Sequence, residues 1–215
     1  MERCRSSDRG IKLSSRNQVK RGERHREEKS VILIGAEGKN RTERIYFREL
    51  AKAHNRKYVV RFAKGNSTDP IGIVKDTIKD YEKECTDEGD MAFAVFDTDA
   101  DENKQKYIDE AVTLAKRKGV HTVCSTPCFE VWYLMHFRYS TGPILSSRKV
   151  LEEMEKYVPG YEKSSGIYHK IRNMTMTAIH NAERIEAYHD MDGIRKKSIK
   201  RNPGTEVHEI VRILE

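Results

Sequence analysis

The chain has 215 residues, with 41 Lys and Arg against 34 Asp and Glu, a net charge of +7 and 37% hydrophobic content. That length suits one domain, or one domain with an appendage, and the apolar content is enough for a real core, which excludes a chain disordered throughout. No apolar stretch approaches the roughly 20 residues of a membrane span, and no signal-peptide core follows the charged start.

The four cysteines, Cys4, Cys85, Cys124 and Cys128, form no CxxC pair and no disulfide-dense pattern. This argues against a zinc site and for reduced thiols in a soluble, cytoplasmic protein with no membrane partner. The charge is uneven. Residues 1–29 hold ten Lys and Arg against five Asp and Glu, a net of +5, while the remainder carries only +2. The first 29 residues also lack hydrophobic periodicity and read as a disordered basic arm that favours polyanions, nucleic acid above all, or anionic membrane surfaces.

A βα alternation follows. Val31–Gly35 reads as a strand, and a helix is expected from about Arg41 to Ala53 with Ile45, Tyr46, Leu50 and Ala53 as its buried face. Tyr58–Ala63 is a second strand. Asp69 and Pro70 make a helix start, N-cap then Pro at the first position, and that helix runs to about Lys83. Met91–Phe96 is a third strand, a helix from about Lys104 to Lys118 ends at Gly119, and Val120–Cys124 is a fourth strand. Pro127 opens a helix carrying Phe129, Glu130, Trp132, Tyr133, Leu134 and Phe137. The fold class is therefore α/β, a small and mostly parallel four-stranded sheet flanked by helices over residues 30–142. Residues 143–215 read as a helical appendage packed on it, including one run from about Ile167 to Tyr188 and a last helix from about Thr205.

Carboxylates follow the apolar strands. Short apolar runs bounded by turn residues are strands buried on both faces, as in a parallel sheet, and ligands of such sheets bind beyond the carboxyl ends of the strands. Glu37 after the first strand, and Asp97 and Asp99 after the third, are therefore expected at one rim. Asp97 and Asp99, alternate residues of an extended segment, can face one cation. Gathered carboxylates repel one another unless a cation sits among them, and an oxygen-only set suits Mg²⁺ or Mn²⁺. Glu43 reads either as a ligand or as the partner of Asn40 in a capping box. Asp101 and Glu102 read as caps of the next helix. Glu130, one acid in an apolar helix, reads as a further ligand, a carboxylate supporting the ligands, or half of a structural ion pair. His136 is packing or surface. Lys163, in the loop Tyr161-Glu162-Lys163, is either an ordinary surface lysine or a cation that neutralises phosphate charge in a transition state.

These motifs occur in an order that resembles the RloB-like family. The basic start, Ile32-Leu33-Ile34, Glu37-Gly38, Thr42-Glu43 and Tyr46-Phe47 come first. Phe96-Asp97-Thr98-Asp99, Ser125-Thr126-Pro127-Cys128-Phe129-Glu130-Val131-Trp132 with His136-Phe137, Tyr161-Glu162-Lys163 and Asn202-Pro203-Gly204-Thr205 follow, over about residues 16–215. That family is similar to the Toprim fold, the metal-binding module of topoisomerases, bacterial primases and overcoming-lysogenization-defect nucleases. The resemblance implies Glu37 as the Toprim glutamate and Asp97 and Asp99 as its DxD metal pair. It also implies a role in restriction-linked or abortive-infection phage defence beside an ATPase partner.

The expected function is thus an Mg²⁺- or Mn²⁺-dependent endonuclease acting on DNA, or on RNA such as tRNA. Glu37, Asp97, Asp99, Glu130 and Lys163 are its expected catalytic residues, and Glu37, Glu43, Asp97, Asp99 and Glu130 its expected metal ligands. The alternative is a non-catalytic nucleic-acid- or metal-binding subunit of an ATPase-containing defence system. Self-association into a homo-oligomer stays open.

Overall fold

A computed structural model describes residues 29–38, 42–54, 57–85 and 87–215. Most of the basic arm, Cys4 and the Asn40 of the expected capping box lie outside the described residues. The elements run β1 (Ser30–Gly35), α1 (Thr42–Ala53), β2 (Tyr58–Phe62), α2 (Pro70–Glu84), β3 (Met91–Asp97), α3 (Gln105–Arg117), β4 (His121–Thr126), α4 (Glu130–Met135), α5 (Ser147–Met154), α6 (Tyr168–Ile171), α7 (Thr175–Met191), β5 (Gly204–Thr205) and α8 (Val207–Leu214).

Alternation along the strands explains the layering. In β1, Ile32 and Ile34 join one hydrophobic cluster while Leu33 joins another; in β3, Phe93 and Val95 join the first and Ala92, Ala94 and Phe96 the second. Both faces are apolar, so both need helices. α2 and α3 cover one face through Ile73, Val74, Ile78, Ile108 and Ala111. α1, α4, α5, α7 and α8 build the other, around Tyr46, Phe47, Phe129, Trp132 and Tyr133. All six residues of α4 are buried, since it lies under that second layer.

The sheet order is β2-β1-β3-β4-β5, with the first four strands mutually parallel. β1 lies between β2 and β3, so the order reverses at the β1–β3 boundary, where sheets of this kind form a ligand crevice beyond the strand ends. The Asp69 N-cap is as expected: its Oδ1 accepts from the Gly72 N–H at 2.9 Å, with Pro70 in the first position. Gly119 stops α3 in the left-handed region, at φ +70°. Among the described residues, no helix is long and apolar enough to cross a membrane.

Two expectations are corrected. The sheet has five strands, not four: Gly204–Thr205 pairs antiparallel with β4 through Ser125 and Thr126. Two residues are too few for a period-2 pattern to be read. The run from Ile167 to Tyr188 is not one helix either, because α6 passes into a 3-10 turn at Arg172–Met174 before α7 begins.

Candidate functional site

The crevice beyond β1 and β3 is built from loops laced to one another. After β1, the Gly38 N–H donates to the Ser67 carbonyl at 3.1 Å, and a Cβ on Gly38 would lie 2.5 Å from Asn66 Cα. Only glycine lets the loop that carries Glu37 approach the loop after β2 so closely. After β3, the Thr98 N–H donates to Ser125 O and the Asp99 N–H to Pro127 O, each at 3.0 Å. The buried Thr98 hydroxyl donates to Thr126 Oγ1 at 3.0 Å. The exits of β3 and β4 therefore hold together.

This lacing changes the expected geometry of the DxD segment. Asp99 and Ala100 both adopt φ +52°, so the chain turns at Asp99 instead of continuing extended. Thr98, buried between the two strand exits, and the Asp99 N–H are both bonded to the β4 exit where the turn occurs. Asp99 is ion-paired with Lys104 at the rim, both half-exposed, whereas Asp97 ends β3 facing the crevice. Asp101 caps the following 3-10 turn, its carboxylate accepting from the Asn103 N–H at 3.0 Å.

Glu43 and Glu130 enter from the helix starts. Thr42 and Glu43 occupy the first turn of α1, both buried, and Glu130 is the first residue of α4 with no exposed side-chain surface. Glu130 Oε1 accepts long hydrogen bonds from the Tyr161 hydroxyl at 3.4 Å and the Thr42 hydroxyl at 3.5 Å. Its Oε2 accepts none; the Lys163 ammonium stands 3.9 Å from it.

The electrostatics record the convergence. Loss of water pushes Glu43 up to about 8, with the charges of Glu130 and then Glu37 adding to the effect. Asp97 is raised well above the ordinary aspartate value, first by burial of its carboxyl and then by Glu43 and Glu130. Partial burial pulls Lys163 down, but Glu130, then Cys128, Asp97 and Glu43, outweigh it and hold the ammonium above its usual value. Glu43, Asp97, Glu130 and Lys163 thus form the centre of the cluster. Glu37 and Asp99 act on it from the margin, Glu37 through Glu43 and Lys104, Asp99 through Asp97.

Among the described residues, no three carboxylate, imidazole or thiol groups already stand in a ligating arrangement. The donor chemistry nevertheless fits a hard divalent cation: three carboxylates crowd the centre beside the buried Cys128 thiol, which burial holds protonated well above its usual range, and a fully buried Glu130 Oε2 lacks a hydrogen bond that burial would ordinarily demand. His136 takes no part. It is buried against Trp132, its Nδ1 3.0 Å from the Trp132 carbonyl oxygen, and burial lowers it to about 4.

Sequence reasoning did not single out Thr42, Thr98 or Tyr161. Tyr161 lies 31 residues from Glu130 and Thr42 lies 88 residues away, so no local spacing could reveal their contacts.

The family model described as RloB-like protein matches residues 32–214. No curated protein matches the sequence. Among solved structures, a de novo designed Rossmann fold protein matches at 11% identity and a TM-score of 0.30, covering 61% of this chain and 99% of its own. The matched span takes in β1 from Ile32 onward, the other four strands and every acid of the site. The chain belongs to the RloB-like family.

Proposed function

We propose that the protein is a divalent-metal-dependent nuclease that hydrolyses phosphodiester bonds in nucleic acid, DNA or RNA such as tRNA, as an effector of phage defence. The observation that carries this reading is the meeting, at the reversal point of a parallel sheet, of acids from three strand exits around one lysine and one orphaned carboxylate oxygen.

Asp97, Glu43, Glu130 and Glu37 would hold Mg²⁺ or Mn²⁺. A divalent cation there supplies Lewis-acid polarisation of a phosphate oxygen and acidifies water as a nucleophile. Burial and mutual repulsion raise Glu43 and Asp97, so a cation bound there would compete with protons for them. Lys163, with 40% of its side chain exposed, is the mobile cation of the site; it balances Glu130 when the crevice is empty and turns to a phosphate oxygen when substrate arrives. The basic arm adds phosphate affinity without sequence readout, and an ATPase of a defence system is its expected partner.

The test is cleavage of total tRNA, plasmid and single-stranded DNA by the pure protein with Mn²⁺ or Mg²⁺. Cleavage is expected to vanish in EDTA, and Glu37→Ala should reduce it to the EDTA level with the circular dichroism spectrum unchanged. Cleavage that survives either change refutes the metal-nuclease reading. One observation favours a second reading, a non-catalytic metal- or nucleic-acid-binding subunit of an ATPase-containing system: Lys104 holds Asp99 at the rim. Metal-dependent binding of nucleic acid without turnover, also in the presence of the ATPase, decides for it.

A further inference from the structure

Tyr161 and Thr42 are two buried hydroxyls that meet at a single oxygen of Glu130, and packing alone does not ask for them there. Tyr161 is 9% exposed and Thr42 fully buried. The Tyr161 ring packs edge-on against Tyr133 at 6.0 Å, a contact that phenylalanine would make equally well. Its hydroxyl, however, is aimed at Glu130 Oε1. Thr42 is committed in a different way. The Ser164 N–H donates to its oxygen at 3.2 Å, which fills an acceptor site on the hydroxyl and leaves its single proton to be given away. Glu130 Oε1 lies within its reach at 3.5 Å, and the Tyr161 hydroxyl, which points at the same oxygen, lies beside it, so the two hydroxyls and the carboxylate form one network. Ser164 makes that contact at φ +71°, a left-handed conformation unfavourable for serine, so the loop is bent toward Thr42 against its own preference.

The consequence is asymmetric. Both donors act on Oε1 and none on Oε2, so the carboxylate is pinned with one oxygen held in the protein and the other turned toward Lys163 and the crevice. A buried carboxylate without donors would rotate, or take up a proton. We propose that Tyr161 and Thr42 are positioning residues for the proposed metal centre, two hydroxyls that fix the Glu130 carboxylate so that Oε2 is presented to a divalent cation. The inference rests on the metal-centre reading above. It adds the 161–164 loop, far along the chain from every acid of the site, as part of the metal-binding apparatus, and its role is orientation, not contact with the metal.

A double-mutant cycle read by Mn²⁺ binding tests it, using calorimetry and the electron paramagnetic resonance of free Mn²⁺ on the full chain. Outer groups that orient a metal ligand typically contribute about 10-fold or more in affinity. Tyr161→Phe is expected to raise the Mn²⁺ dissociation constant roughly 10-fold in the otherwise native protein and to change nothing further in Glu130→Gln. Thr42→Val should weaken binding, and Thr42→Ser, which keeps the hydroxyl, should restore it. Metal-free melting temperatures monitor folding; if Thr42→Val fails to fold, the Tyr161 cycle and Thr42→Ser carry the test. A Tyr161→Phe effect that is absent, or equal in the native and Glu130→Gln backgrounds, overturns the positioning role and leaves the metal centre standing. A native protein that binds no Mn²⁺ overturns the metal centre itself, and this role with it.

Discussion

Glu43 is an acid whose surroundings oppose its charge. Burial, Glu130 and Glu37 raise it from 4.5 to about 8. Between those values the folded chain holds a proton that the unfolded chain has lost, so the unfolded state binds fewer protons and stability falls as pH rises across that window. In EDTA, chemical denaturation should show the protein less stable at pH 8 than at pH 5, with Glu43 contributing on the order of 2–4 kcal/mol. Glu43→Gln keeps the shape and cannot ionise, so it should flatten the slope and be more stable than the native protein at pH 8. Asp97, raised in the same direction, leaves part of the slope in place. An unchanged slope in Glu43→Gln would show that this carboxyl titrates normally. Divalent metal should oppose the same decline, binding more tightly as pH approaches 8 because fewer protons remain to be displaced.

At the scale of elements, what was legible in the sequence was what is local and long. β1 and β3 announce themselves as apolar runs with Glu37 and Asp97 at their ends, β2 less clearly around Arg61, while β4, His121-Thr122-Val123-Cys124-Ser125-Thr126, carries polar residues at both ends and lies one to two residues beyond the expected Val120–Cys124. β5 has two residues and no pattern, yet its Thr205 hydroxyl lies 2.9 Å from Ser125 Oγ and ties the carboxyl-terminal segment to the exit of β4. The DxD segment departs from its expected extended conformation because its turn is set by non-local bonds from Thr98 and Asp99 to the β4 exit. Nor could spacing show that Lys163 and Tyr161 close over Glu130. The loop after β1 gives a test at this scale. On Gly38, a methyl group would strike Asn66 backbone atoms at 2.5 and 2.8 Å, and backbone cannot swing aside as a side chain can. Gly38→Ala should cost about 1–3 kcal/mol, seen as a lower melting temperature in EDTA. It should also displace Glu37 and weaken Mn²⁺ binding. A melting temperature within a degree of the native value would mean that the two loops move apart freely.

For the whole molecule, the carboxyl-terminal residues are a working layer of the core. α8 places Val207, Ile210, Val211 and Leu214 in the same cluster as Ile32 and Ile34 of β1 and Phe93 of β3, so the first strand and the last helix share one core face. The segment before it is also tied down by charge: Arg195 pairs with Asp109, Lys196 with Glu186, Lys197 with Glu206 and Arg201 with Asp190. Pairs with exposed partners such as Arg195–Asp109 contribute at most about 1 kcal/mol each. Four buried apolar side chains contribute about 1.5–3 kcal/mol each, or roughly 6–12 kcal/mol together, comparable with the roughly 5–15 kcal/mol net stability of a domain. Burial therefore decides the outcome. A chain ending at Pro203, which keeps the Arg195, Lys196 and Arg201 pairs but loses β5 and α8, should show no cooperative urea transition, while the full chain unfolds in a single sigmoidal step. It should also expose apolar surface that binds a hydrophobic dye. A sharp transition in the shortened chain, with an undiminished dependence on urea concentration, would show that the sheet and its remaining helices fold without their last layer.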